Sequence, residues 1–206
     1  MHNTIKRRVK KMLDHREPAH DFQHIMRVYK NAKLIGQLEG ANMEILLLAV
    51  LLHDLVVYPK GSARSSRSSE DSADFAENIL QGYGYSKDKI NRISYCIRMH
   101  SYSKRLVPAS LEGRILQDAD RLDALGAIGI ARTFSVGGLE KRSFYNADDP
   151  FCRSSRKLDD KQWTLDHFQR KLLKLKHLMH TRTAKKIAQE RTQFMMLFIK
   201  QLKMEI

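Results

Sequence analysis

Residues 42–55 read NMEILLLAVLLHDL, and from Met43 to Leu52 every residue except Glu44 is apolar. A helix apolar on all sides has no face for solvent, so it must be enclosed by other elements. It is too short for a membrane span, which needs roughly 18 or more apolar residues. Its surroundings repeat apolar residues at steps of three and four, the period of helices packed by one stripe. Ile5, Val9, Met12 and Leu13 form one stripe, and Ile25, Val28, Ala32 and Ile35 another within 22–38, closed by Gly40. A helix over 71–81 carries Phe75, Ile79 and Leu80, and Ser86 caps one with Ile90, Ile93, Ile97 and His100 on one face. A long helix over 112–134 turns Ile115, Asp118, Leu122, Leu125 and Gly129 inward. Two more close the chain, 164–180 and 183–203, the last with Ile187, Arg191, Phe194, Phe198 and Leu202. No run alternates as a strand would, so the spacing predicts an all-α bundle, with 1–206 as one domain.

Two segments lack periodicity. KGSARSSRSSED (60–71) reads as a loop ending in a serine cap. Residues 135–162 read as a long loop or lid, since connections of that length in a compact domain are generally functional or disordered. The chain carries 37 Lys and Arg against 23 Asp and Glu, a net charge of +14, which favours an anionic partner or a solvated basic face. Two cysteines support neither a disulfide framework nor a zinc knuckle. The basic N-terminus is followed by no apolar stretch of the kind a secretory signal needs, so a cytoplasmic protein is expected, with no membrane partner.

Polar residues interrupt the apolar faces at four places. His24 shares a stripe with Val28 and Ile35; His53 and Asp54 end the enclosed helix; His100 ends another apolar face; Asp118 interrupts the stripe of 112–134. Any one alone could be a satisfied core residue. Two carboxylates and two or three imidazoles directed into one core call for a shared cause, because a buried carboxylate costs several kcal/mol unless paired or metal-bound. A divalent cation supplies it.

The words HDFQHIMRV (20–28), LLHDLVVYPK (51–60), SYCIRMHSYS (94–103) and ILQDADRLDALGAIGIARTF (115–134), with the closing block 167–202, resemble the small bacterial single-domain HD phosphohydrolases. The resemblance spans nearly the whole chain. It implies an HD-domain helical bundle with its metal site at the core's edge, and His24, His53, Asp54 and Asp118 as ligands. One ion is expected, because Ser101 rather than another imidazole adjoins His100. Mn(II) is the expected metal, and the donor set also suits Mg, Fe(II), Co, Ni or Zn. Val57 stands where some HD nucleotidases carry an acid/base Glu, three residues after the motif Asp.

The family cleaves phosphate esters or anhydrides, and some members convert nucleoside triphosphates to the monophosphate and pyrophosphate. That activity is the expectation here. Monophosphatase, phosphodiesterase and non-catalytic nucleotide or nucleic-acid binding are the alternatives, nucleic acid being the less favoured partner. Phosphoryl transfer needs positioning and charge neutralisation. Arg27, Lys60 and Arg121 are the cations placed to touch phosphate, and His20 is a ligand-shell or substrate residue or a plain helix start. His100 and Asp123 are the remaining titratable candidates for proton transfer. Arg121 and Asp123 could equally be ion-pair partners. A homodimer is left open.

Overall fold

The computed structural model describes the chain except Met1, residues 15–20, 60, 61 and 105, and the side chain of residue 103. His20 and Lys60 therefore lie outside the described residues. Among the described residues there is no strand, only a parallel bridge between Ser143 and Trp163, and no single helix is long and apolar enough to cross a membrane. The chain forms two compact units, Met1–Asp120 and Arg121–Ile206.

In the first unit, helix α1 (His2–Leu13) buries Ile5, Val9 and Leu13. Helix α2 (Phe22–Glu39) starts at Asp21, whose carboxylate accepts the His24 N–H at 2.8 Å. It ends at Gly40, which takes the left-handed φ of 75° that a Cβ would disfavour. Asn42 caps the enclosed helix α3 (Met43–Leu52) by accepting the Ile45 N–H. Ile45, Leu46 and the five residues from Leu48 to Leu52 are all buried. Each buried Leu or Ile contributes about 1.5–3 kcal/mol. α2 and α3 pack closely because Gly36 has no side chain: a Cβ there would lie 2.5 Å from Leu46. α1, α2 and α5 (Lys87–Met99, capped by Ser86) all pack against α3, as the apolar run requires.

Helix α4 (Ser68–Gly82) begins earlier than the sequence suggests, after a 3-10 turn at Ser65–Arg67. Its N-cap is Arg67, with no side-chain cap bond. Ser68 and Ser69, expected at its cap, are inside the helix; the Ser68 hydroxyl serves the Tyr58 N–H and the Ser65 carbonyl, and the Ser69 hydroxyl bonds Glu70. Tertiary bonds here override the capping preference of serine.

The long helix expected over 112–134 is two. α6 (Leu111–Leu122) stops, and α7 (Gly126–Leu139) starts at Gly126, whose φ is 72°. A Cβ on Gly129 would sit 2.3 Å from the Ala124 carbonyl, so both glycines serve a sharp turn.

In the second unit, residues 135–139 complete α7, so the expected loop over 135–162 is shorter. Its remainder is pinned by Arg156, which donates to both Asp166 oxygens at 2.6 and 2.8 Å and to the Asp149 carbonyl, and lies 4.8 Å from the Trp163 ring centre. The Ser154 hydroxyl and the Arg153 and Ser154 N–H groups hold the Asp149 carboxyl down to about 2. The helix expected over 164–180 breaks at Lys171 into α8 (Asp166–Arg170) and a 3-10 stretch, Leu172–Leu178. α9 (Arg182–Glu205) buries Ala184, Ala188, Thr192 and Met195 and leaves Phe194 half exposed, while Phe198 stacks with Phe168 at 6.0 Å.

Candidate metal centre

The Asp21 cap fixes the first turn of α2, and His24 stands on that turn, 1% exposed. His53 follows the last residue of α3 and is fully buried. His100 sits at the C-cap of α5. The three rings form a row: His24 and His53 have centres 5.6 Å apart, and His53 and His100 5.0 Å apart. Asp54 lies among them. Its Oδ2 is 3.7 Å from His24 Nε2 and 3.6 Å from His53 Nε2, and its Oδ1 is 3.3 Å from His100 Nε2.

The fourth element is α6. Asn31 of α2 donates to the Ala119 carbonyl at 3.3 Å, and Gln117 donates to the Met99 and Leu106 carbonyls. These bonds set the rotation of α6 so that Asp120 reaches the cluster, with Oδ1 3.5 Å from His24 Nε2. His24, His53 and Asp120 form one set with ligand atoms within 4.8 Å of one another, and His53, Asp54 and His100 form a second. Asp118, expected as the fourth ligand, belongs to neither set. It is fully buried two residues earlier on α6, about 200° around the helix axis from Asp120. Asp120 is thus the α6 carboxylate whose oxygen lies beside the His24 and His53 nitrogens.

The donor chemistry fits a cation. His53 Nδ1 bonds the Val50 carbonyl at 2.7 Å, which requires its proton there and leaves Nε2 as a bare lone pair. That Nε2 is buried without a hydrogen-bond partner among the described residues. Carboxylate oxygens face it at distances too long for hydrogen bonds and suited to a shared ion. Burial pushes the His53 pKa down, helped by His100 and His24 against the pull of Asp54 and Asp120, so the ring stays neutral and able to ligate. Burial also opposes charge on His100, but its bond to Asp54 and the nearby carboxylates outweigh this and raise its pKa. The rings are buried, whereas the Asp54 and Asp120 side chains are 13% and 27% exposed, so the carboxylates form the accessible edge.

The other expected site residues separate. Arg27 lies on α2, three residues beyond His24. Arg121 Nη1 donates to the Leu178 carbonyl at 2.5 Å and contacts His180 at 3.1 Å. Asp123, buried, pairs with Arg132 at 2.6 Å. Those bonds join Arg121 and Asp123 to other residues of the second unit. Asp120 is the residue the sequence reading missed.

A model of the HD domain matches residues 21–125, a span containing His24, His53, Asp54, His100 and Asp120. The uncharacterized protein YpgQ of Bacillus subtilis is 36% identical over 203 residues, covering 96% of this chain and 90% of its own. The crystal structure of YpgQ in complex with ADP has a TM-score of 0.77 at 35% identity, covering all of this chain and 94% of that one. An HD-superfamily hydrolase from Bacillus thuringiensis has a TM-score of 0.76 at 35% identity, covering 99% and 95%. With three imidazoles and two carboxylates converging inside the matched span, the chain belongs to the HD-domain family of metal-dependent phosphohydrolases.

Proposed function

We propose that the protein hydrolyses nucleoside or deoxynucleoside triphosphates to the monophosphate and pyrophosphate, with 1–206 working as one domain. One divalent ion, Mn(II) foremost, would be held by His24, His53, Asp54 and Asp120. When bound, such an ion supplies Lewis acidity toward a phosphoryl oxygen and lowers the pKa of water. The observation that carries the reading is the buried His53 Nε2 facing the accessible Asp54 and Asp120 carboxylates. The nucleotide is supported by the ADP held by the related YpgQ and by the net charge of +14. The pyrophosphate-releasing cleavage follows the family members that the sequence words resemble.

The chain's own groups have distinct tasks on this reading. Val50 fixes the His53 tautomer through the Nδ1 bond. His100, 3.3 Å from Asp54, is the imidazole that would pass a proton to the leaving group. Arg27, one turn past His24, is the cation on α2 that would neutralise phosphate charge.

Phosphorus NMR of the purified protein with mixed nucleoside triphosphates and Mn(II) tests this, alongside His53→Ala. Pyrophosphate with monophosphate, absent in the variant, is the expected result. Orthophosphate as product would turn the reading to a phosphatase. No turnover with any divalent ion would leave a binding protein.

A further inference from the structure

The chain leaves α3 at His53, and the described residues from there to Ser65 include no helix or strand, yet Asp54 must hold its carboxylate among three imidazoles. Backbone groups of such a stretch need partners, and one face of α4 supplies them. The Ser72 hydroxyl accepts the Val56 N–H at 3.0 Å and donates to the Val56 carbonyl at 3.1 Å. The Ser68 hydroxyl accepts the Tyr58 N–H at 3.3 Å. The Tyr58 hydroxyl donates to Asp71 at 2.8 Å. Ser68, Asp71 and Ser72 stand at i, i+3 and i+4, so a single helix face grips positions 56 and 58. Ser72 is fully buried, and Leu55, between the motif and the grip, is 3% exposed. The stretch is therefore held on both its backbone and its side chains, starting two residues after Asp54.

We infer that Ser72, backed by Ser68 and Asp71, is a positioning residue for the Asp54 carboxylate and sets the ion affinity of the centre; this rests on the metal-site reading above. Residues that orient a ligand from behind typically change affinity or activity by about 10–100-fold when removed. A staple that served only stability would lower the melting temperature and leave affinity alone. The neighbouring Ser69 separates the cases. It is 2% exposed on the same turn, and among the described residues its hydroxyl bonds Glu70, at 3.3 Å, rather than the stretch that follows Asp54.

The experiment is calorimetric titration of Mn(II) into the full chain, for wild type, Ser72→Ala and Ser69→Ala, with thermal melts of the ion-free proteins. The expected result is affinity about 10–100-fold weaker in folded Ser72→Ala and within about two-fold of wild type in Ser69→Ala. Wild-type affinity in Ser72→Ala overturns the inference while leaving the metal site standing. A wild-type protein that binds no Mn(II) overturns the metal-site reading and this inference with it. Should Ser72→Ala fail to fold, Ser68→Ala, which removes the bond to Tyr58, decides: several-fold weaker binding supports the inference, unchanged binding overturns it.

Discussion

Each unit of this protein buries a cluster of ionisable groups, and the two clusters are built on opposite terms. In the second unit, Arg156 and Asp166 meet at 2.6 and 2.8 Å, and Arg132 meets Asp123 at 2.6 Å. The first unit places three imidazoles around Asp54 with closest approaches of 3.3–3.7 Å. Close charge-assisted bonds complete the pairs of the second unit, whereas in the first unit His53 Nε2 is buried with no hydrogen-bond partner among the described residues. A buried group left short of a partner costs free energy, and a fold keeps it where something else is to be bound. Burial of charge alone does not mark a site; its incompleteness does.

The comparison can be broken most severely at α6. Asp120→Asn should lower turnover by at least about 10³-fold, since several kcal/mol of charge stabilisation depend on the ion. Asp118→Asn should retain Mn(II) binding; steady-state rates and titrations of the two variants decide between neighbouring carboxylates. In the second unit, Asp166→Asn should behave in the contrary way. It should cost about 3 kcal/mol by leaving Arg156 with Asp149 as its remaining carboxylate, read as a lower urea midpoint, with ion affinity unchanged. Next in size is the ion itself. Mn(II) at one hundred times its dissociation constant should add about 2.7 kcal/mol to stability, chelator should remove that gain, and Asp54→Ala should never show it.

The smallest effect concerns a group outside both clusters. Burial pushes the Cys96 thiol up to about 11, against its bond to Ser110. A pKa raised by folding means the native state holds the proton more tightly. The contribution is complete below the unfolded value, near 8.5, and is lost as pH climbs toward the folded value. Melting of wild type against Cys96→Ala from pH 8 to 11 should show wild type losing on the order of 2 kcal/mol more.

Much of the architecture was readable. The run from Met43 to Leu52 demanded enclosure, and Gly40 and Ser86 marked helix ends by local preferences any helix would use. α4 was misread because its serines bond positions 56 and 58, a demand from a distant segment that local preference cannot contain. The break between α6 and α7 was hidden because Asp118, Leu122 and Leu125 keep a helical spacing across it.

The sequence by itself determined that imidazoles and carboxylates would end or interrupt enclosed helices, because apolar periodicity tells which residues face inward. It could not choose between Asp118 and Asp120. From Ile115 to Ala119 every residue of α6 is buried, so apolar spacing alone does not say which of the two carboxylates meets the imidazoles. The bonds from Asn31 to Ala119 and from Gln117 to Met99 and Leu106 are tertiary and fix that rotation. A two-residue difference on a helix is about 200° in direction, and direction around an enclosed helix is a property of its neighbours.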